Sequence, residues 1–399
     1  MGMDVRRSGE DLGETTQDME RMDMRVARLR DFLAADPSNT ELACDLADML
    51  SAQAKYADAR AVLESLPANA IDAPGVRFRL ARADLVGGAY ASAESRYRSL
   101  IADGHDNAAL LHDLAFSQLC QRKAGEAMST VDDAIARLGN TVALSVLKAR
   151  IALMQEKYED ALLSLNAALA IDPDDVSALG VRALALFDSS EFEQAAAAAR
   201  DCLQRDPDQH EALLVAGTLS LWQQDLDSAQ VLFERALSRH PNSGRALSGY
   251  GQLLMLRNDL SRARQVLERA IVAMPDHIGT WHALAWLQLL QGERDQAEAS
   301  YRKAYDLDRN FGDTHGGLAL IAALRGDYDG AEQGIKRALR LDPNAVTAKY
   351  AQTLVMEARG DRTGSDALMQ QLMRGGVGTP LPVREFAERL KATLGAGTH

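Results

Sequence analysis

Residues 278–311 read IGTWHALAWLQLLQGERDQAEASYRKAYDLDRNF, and this stretch decides the fold. Three small residues, Ala285, Ala297 and Ala304, stand at fixed intervals among larger apolar ones such as Leu284 and Tyr301. A step of 34 residues in either direction meets the same pattern again. The middle alanine returns as Ala59, Ala93, Ala127, Ala161, Ala195, Ala229, Ala263 and Ala331, and its tenth place holds Ser365. The earlier small residue returns as Ala47, Ala81, Ala115, Ala149, Ala183, Gly217, Gly251 and Ala319. A period of 34 with small residues at fixed places is the mark of stacked helical hairpins.

The spacing has a direct physical reading. Small residues let two antiparallel helices approach closely, and the larger ones, such as Leu165, Phe233, Leu267 and Ile335, fill the gaps beside them. Pro173, Pro207, Pro241, Pro275 and Pro343 recur at one place and end the second helix of each pair. Turns within pairs fall near Gly88-Ala89-Tyr90, Glu156-Lys157-Tyr158 and Gly326-Asp327-Tyr328. Ten repeats result, starting at residues 40, 74, 108, 142, 176, 210, 244, 278, 312 and 346 and filling 40–379. Pro37 extends the proline series upstream, so residues 15–39, with Met22, Val26, Leu29 and Phe32 at helical spacing, are predicted to form a capping helix. Val383, Phe386, Leu390 and Leu394 predict a second cap over 380–394. Polar residues 1–14 and the tail 395–399 read as disordered. Two repeats are irregular: the second carries Arg77 and Asp84 at apolar places, and the tenth carries Thr353 and Ser365 at small ones.

The order Trp281, Leu284, Ala285, Ala297, Tyr301, Ala304 resembles the tetratricopeptide repeat family; Arg309 stands where the family has proline. The resemblance implies an all-α, right-handed solenoid whose first helices line a concave groove. Carried onto this chain, groove places fall on Arg79, Arg82, His112, Phe116 and Arg150 in the early repeats. In the later repeats they fall on Leu214, Thr218, Gln252, His282, Trp286 and Tyr350. Leu184, Leu320 and Leu354 read equally well as groove or as packing between repeats. Trp286 reads as groove, because Trp281 already fills the consensus core place. No three consecutive repeats supply the Lys and Asn set with which one subclass grips a terminal carboxylate.

Composition narrows the function. The net charge of −13 lacks the basic footprint of a nucleic-acid binder. No apolar run is long enough to span a membrane. Cys44, Cys120 and Cys202 have no metal-binding spacing and read as reduced thiols of a cytoplasmic protein. No Walker A, HExxH, GxSxG or GxGxxG motif occurs. His277 and His282 are poorly spaced for one metal, and Gly249-Tyr250-Gly251 reads as helix packing instead of a phosphate loop. The expectation is a non-catalytic scaffold or adaptor, without cofactor or metal, whose partner is a protein or peptide, with self-association through the terminal repeats as a further contact. Assembly of a bacterial envelope, secretion or polysaccharide-export complex, or regulation of an enzyme supplied in trans, are the alternatives.

Overall fold

The computed structural model describes residues 7–374 and 389–390. Among these residues there are twenty-two α-helices and no strand. They fall into two compact units, residues 1–175 and 176–399. The N-terminal unit holds α1 (Arg7–Ala35), α2 (Thr40–Ala52), α3 (Tyr56–Glu64), α4 (Ala68–Ile71), α5 (Pro74–Val86), α6 (Tyr90–Ala102), α7 (Ala108–Cys120), α8 (Ala124–Leu138), α9 (Val142–Met154) and α10 (Tyr158–Ile171). The C-terminal unit holds α11 (Val176–Asp188), α12 (Phe192–Arg205), α13 (His210–Trp222), α14 (Leu226–Arg239), α15 (Gly244–Leu256), α16 (Leu260–Ala273), α17 (Ile278–Leu290) and α18 (Arg294–Leu307). It continues with α19 (Gly312–Leu324), α20 (Tyr328–Leu341), α21 (Val346–Ala358) and α22 (Arg362–Arg374). A first helix begins every 34 residues, from Thr40 to Val346.

Two ends differ from expectation. Helix α1 starts at Arg7, within the segment 1–14 that its polarity suggested would be disordered. The capping helix expected over 380–394 lies outside the described residues except for Arg389 and Leu390. Repeat 1 is also irregular: α3 stops at Glu64, and Pro67 opens the one-turn helix α4 in place of a continuous second helix.

Local chemistry sets the helix ends. Asn39, Asn107, Thr141, Ser243 and Asp259 each accept a backbone N–H of the first turn, the usual N-cap arrangement. Every first helix closes through a left-handed residue at the fifteenth place of its repeat. That residue is glycine at 88, 292, 326 and 360, but Ala54, Arg122, Glu156, Ser190, Gln224 and Asn258 elsewhere. The next N–H then reaches back to the carbonyl five residues earlier, as from Lys157 to Ala152 at 2.9 Å. At the second helix's end, Asp172, Asp206, Asp308 and Asp342 turn a carboxylate oxygen onto the N–H two residues ahead, at 2.8–3.1 Å.

The comb alanines are fully or almost fully buried in every repeat. Ser365, the polar tooth, is buried too, and its hydroxyl donates to the Thr353 carbonyl at 3.0 Å. The Thr353 hydroxyl donates in turn to the Tyr350 carbonyl at 2.7 Å, so both irregular residues of the tenth repeat are satisfied by backbone oxygens. Large and small residues are matched across helices. A Cβ on Gly217 would lie 3.0 Å from the Phe233 ring, and Gly249 and Gly317 leave no room for one against Phe233 and Tyr301. Gly249 and Gly251 thus lie inside α15 as packing residues, with Leu267 filling the space beside Gly251.

The irregular second repeat is held by charge. Asp84 is buried, with Arg60 Nη1 and Arg96 Nε each 2.8 Å from one of its oxygens. Arg77 donates to Asp103 and to Ser99, both at 2.6 Å. Glu94 is buried one helix further on. Burial opposes its ionisation, but hydrogen bonds from Lys123, Gln121, Arg98 and Gln118 outweigh this and hold the carboxyl at about 2. Apolar clusters in this unit gather separately around Leu46 and Leu63, around Tyr97 and Leu100, and around Val131 and Leu147. In the C-terminal unit one cluster extends from Leu221 to Leu372.

Candidate functional site

In the N-terminal unit the first helices α2, α5, α7 and α9 present a recessed face. A cavity of about 440 Å³ is lined by Asp48 and Ser51 of α2, Tyr56 and Leu63 of α3, and Phe78, Arg79 and Arg82 of α5. A second, of about 370 Å³, is lined by Phe78, Arg82, His112, Asp113 and Thr141. Phe78 and Arg82 border both.

The charges on this face are paired between adjacent repeats. Arg79 grips Asp48 with two hydrogen bonds, 2.9 Å from Nε and 2.6 Å from Nη2. Asp113 collects His112 Nδ1 at 3.1 Å, the Tyr97 hydroxyl at 3.3 Å and, more loosely, Arg82 Nε at 3.6 Å. The Arg82 side chain is 63% exposed. His112 stacks parallel to Phe116, and the Phe78 ring meets Tyr97 edge-on. Arg79, Arg82, His112 and Phe116 thus lie on the neighbouring first helices α5 and α7. Arg150, one repeat further, is half-buried and engaged in contacts of its own.

The later residues assigned to a groove are mostly packed away. Trp286 is 2% exposed, and its ring centroid lies 6.1 Å from that of Tyr350, which is fully buried. Leu214 and Leu320 are buried as well, whereas Leu184 and Leu354 are half-buried. Trp281 is the more open tryptophan, donating its indole N–H to the Pro275 carbonyl at 2.7 Å. The assignment of Trp286, Tyr350 and Leu214 to an accessible groove is therefore corrected. The cause is helix approach: a Cβ on Gly180 would strike the Gln209 side chain, and one on Gly316 would lie 2.6 Å from the Ala348 nitrogen. Small residues at this place let successive first helices touch, and the large residues near them become core.

Thr218 returns its hydroxyl to the Leu214 carbonyl, and the Gln252 amide reaches the Ser248 carbonyl at 3.4 Å. His282 lies between the Tyr301 and Phe311 rings with Nε2 2.8 Å from Thr314 Oγ1. Burial, reinforced by the charge of His277, pushes its pKa down to about 3, so the ring is neutral. His277 caps α17, its Nδ1 accepting from the Thr280 N–H at 3.1 Å. The two imidazoles thus serve separate structural contacts. Ion pairing in this unit also skips a repeat: both terminal nitrogens of Arg245, on α15, hold the Asp188 carboxylate at the end of α11, at 2.8 and 2.9 Å.

Phe78, at the fifth place of its repeat, is a groove place by the same resemblance and stands between the cavities. Tyr56 was not among the assigned residues. It opens the second helix of repeat 1, at the seventeenth place, which also holds Tyr90, Tyr158, Phe192 and Tyr328.

Helix pairs stacked at a 34-residue period, with small residues at each crossing, define the helical-repeat solenoid class. Tetratricopeptide-repeat profiles match residues 112–176, 181–229, 220–287 and 282–346, together more than half of the sequence. The chain belongs to the tetratricopeptide repeat family, whose repeats generally mediate protein–protein interaction and scaffolding. No curated protein matches its sequence. Among solved structures, one titled as the APC/C hetero-tetramer Cut9-Hcn1 aligns over 96% of this chain and 82% of its own, with a TM-score of 0.53 and 14% identity. An IFIT1 monomeric mutant with Gppp-AAAA aligns over 82% of each chain, with a TM-score of 0.50 and 14% identity. At these identities the likeness is one of fold. No helix among the described residues is long and apolar enough to cross a membrane.

Proposed function

We propose that this chain is a non-catalytic interaction array that holds an extended or helical segment of a partner protein on the first-helix face of its N-terminal unit. The observation that carries the reading is Arg82. Its guanidinium borders both cavities, is largely exposed, and has only a distant ionic contact with Asp113. Apolar side chains of the segment fill the spaces beside Phe78 and Phe116, and a carboxylate of the segment takes Arg82. Arginine and aromatic residues at such places are the usual anchors of protein interfaces. The free thiols of Cys44, Cys120 and Cys202 suit a reducing compartment, and we place the protein in the cytoplasm.

The test is affinity capture from the native cell with the unaltered chain and with an Arg82→Glu, Phe116→Ala variant. A partner held by the first should be reduced tenfold or more on the second, since such anchors contribute about 2 kcal/mol or more each. Undiminished capture by a variant with unchanged helical content would remove this face from the reading.

A further inference from the structure

The last turn of α15 departs from the register of the array. Leu253, Leu254, Met255 and Leu256 are all buried. Leu256 is the thirteenth residue of its repeat, and at that place the other repeats are open: Val86 and Met154 are exposed, and Trp222, Leu290 and Leu324 are half-buried. Where Leu256 departs, a distant part of the chain arrives. Arg389 donates from Nη1 to the Met255 carbonyl at 2.7 Å and from Nη2 to the Leu256 carbonyl at 2.5 Å. Leu390, 3% exposed, joins the apolar cluster that contains Leu253, Leu254, Leu256 and Trp286.

The chemistry of this contact is that of a ligand on a helix end. The final carbonyls of an α-helix lack intrahelical donors, and the helix dipole places partial negative charge there. A guanidinium supplies both a fork of donors and the complementary charge. The same need is met from within the array two repeats later, where Arg294 donates to the Leu324 carbonyl at 2.9 Å. At α15 the donor comes from 133 residues away. It does not come from a neighbouring repeat, and Leu390 shares one apolar cluster with Leu253 of α15 and Leu372 of the last helix pair.

We infer that Arg389 and Leu390 are an internal ligand of the C-terminal unit. They hold the end of α15 as a partner's peptide would, and an outside segment gains that surface only by displacing them. The surface accepts a basic residue followed by an aliphatic one: a guanidinium for two helix-end carbonyls, and an apolar side chain for the cluster beside them. This differs from the N-terminal face, where the exposed charge is that of Arg82 and the proposed segment brings a carboxylate. The inference is independent of the reading proposed for that face.

The experiment uses the full chain and an Arg389→Ala, Leu390→Asp variant of it. The probe is a fluorescent peptide of residues 380–399 with the natural sequence. By anisotropy the variant should bind the probe at least tenfold more tightly than the unaltered chain, whose own Arg389 and Leu390 occupy the surface. Hydrogen exchange is read at the amides of residues 257–259, which close the end of α15. It should be faster in the variant and return toward the original rate when the probe is added. Equal affinity of the two chains, or no binding to either, overturns the inference. Should the double variant lose its fold, Arg389→Ala alone is used. This variant removes the two hydrogen bonds and leaves Leu390 in place, and unchanged exchange at 257–259 overturns the inference equally.

Discussion

At the fifth place of its first three repeats the N-terminal unit puts Cys44, Phe78 and His112, all half-buried, and in its fourth the buried Val146. The C-terminal unit puts Gly180, Leu214, Ser248, Gly316 and Tyr350 there, all buried, and the half-buried His282. Ionic and aromatic contacts on the two faces differ in the same sense. In the N-terminal unit Arg79 pairs with Asp48 and Arg82 with Asp113, each within one step of the array. In the C-terminal unit Arg245 reaches Asp188 and Trp286 reaches Tyr350 across an intervening repeat. One comb of alanines therefore supports two kinds of face. Where the fifth place holds Phe78 and His112, cavities are left beside the first helices; where it holds Gly180 or Gly316, successive first helices touch and the face becomes core. The interiors differ as well: Asp84 and Glu94 are buried in the N-terminal unit, while in the C-terminal one a single large cluster begins at Leu221, with smaller ones around Leu213 and Ala348.

The largest effect should come from breaking a ring-and-glycine pair in the C-terminal unit. Phe233→Ala empties a fully buried site and should cost about 3–5 kcal/mol. Gly249→Ala should cost about 1–3 kcal/mol by itself, because its methyl meets the Phe233 ring. In the double variant the methyl enters the space the ring has left, so the two losses should fall well short of adding. Guanidinium unfolding followed by tryptophan fluorescence measures this, since Trp222, Trp281 and Trp286 all lie in the C-terminal unit. Strict additivity would show that ring and glycine do not share one space.

The N-terminal unit should respond to charge instead. Asp84→Ala leaves Arg60 and Arg96 without their buried carboxylate and should cost about 2 kcal/mol. That is below the usual loss for a broken buried pair, because both arginines can turn to water. Asp84→Leu restores the apolar residue that the period calls for and should cost clearly less. Thermal unfolding by far-UV circular dichroism separates the two. If leucine is the worse replacement, the ion pairs are part of the fold's specification instead of a local substitute for packing.

Acid should divide the units by pH window. His282 has its pKa lowered to about 3 in the fold, so the unfolded chain takes up its proton first. The C-terminal unit should therefore lose stability as pH falls from about 6.5 toward 3, on the order of 2 kcal/mol, less than the full shift because the ring keeps some contact with water. Glu94, held at about 2, contributes stability that is complete above its unfolded value near 4.5 and lost as pH falls toward 2. Tryptophan fluorescence should thus begin to change at higher pH than the remainder of the dichroism signal. His282→Phe should move the fluorescence change downward. Coincident transitions unaffected by that substitution would contradict the assignment.

The helix pairs were legible because a helix crossing tolerates only small residues, and such a constraint repeats at every turn of the array. The open face was legible for the same reason: Arg79, Arg82, His112 and Phe116 meet through adjacent repeats, which the period places side by side. Trp286 was misread because its partner is Tyr350, two repeats on, and one repeat's consensus says nothing about that approach. The docking of Arg389 on Leu256 was hidden for a stronger reason, since it obeys no period at all. The buried carboxylates look like decay of the pattern, until Arg60, Arg96 and Lys123 are placed around them.

The left-handed fifteenth residue offers the smallest and cleanest test. Only four of the ten are glycine, so the sequence conceals a conformation that all ten share. An L-residue with a Cβ is strained there by about 1–2 kcal/mol, and glycine is not, although glycine gives back part of the gain through a more flexible unfolded chain. Glu156→Gly in the N-terminal unit and Ser190→Gly in the C-terminal unit should each stabilise by about 0.5–1 kcal/mol. Asn258→Gly should do little, because asparagine already tolerates this region. Denaturant midpoints of the three variants check the ranking. If the first two gain equally, the hairpin turn is the same element in both units, and the contrast between them lies wholly in the faces and cores. If Ser190→Gly gains nothing while Glu156→Gly does, the closer approach of first helices in the C-terminal unit also governs how its turns close.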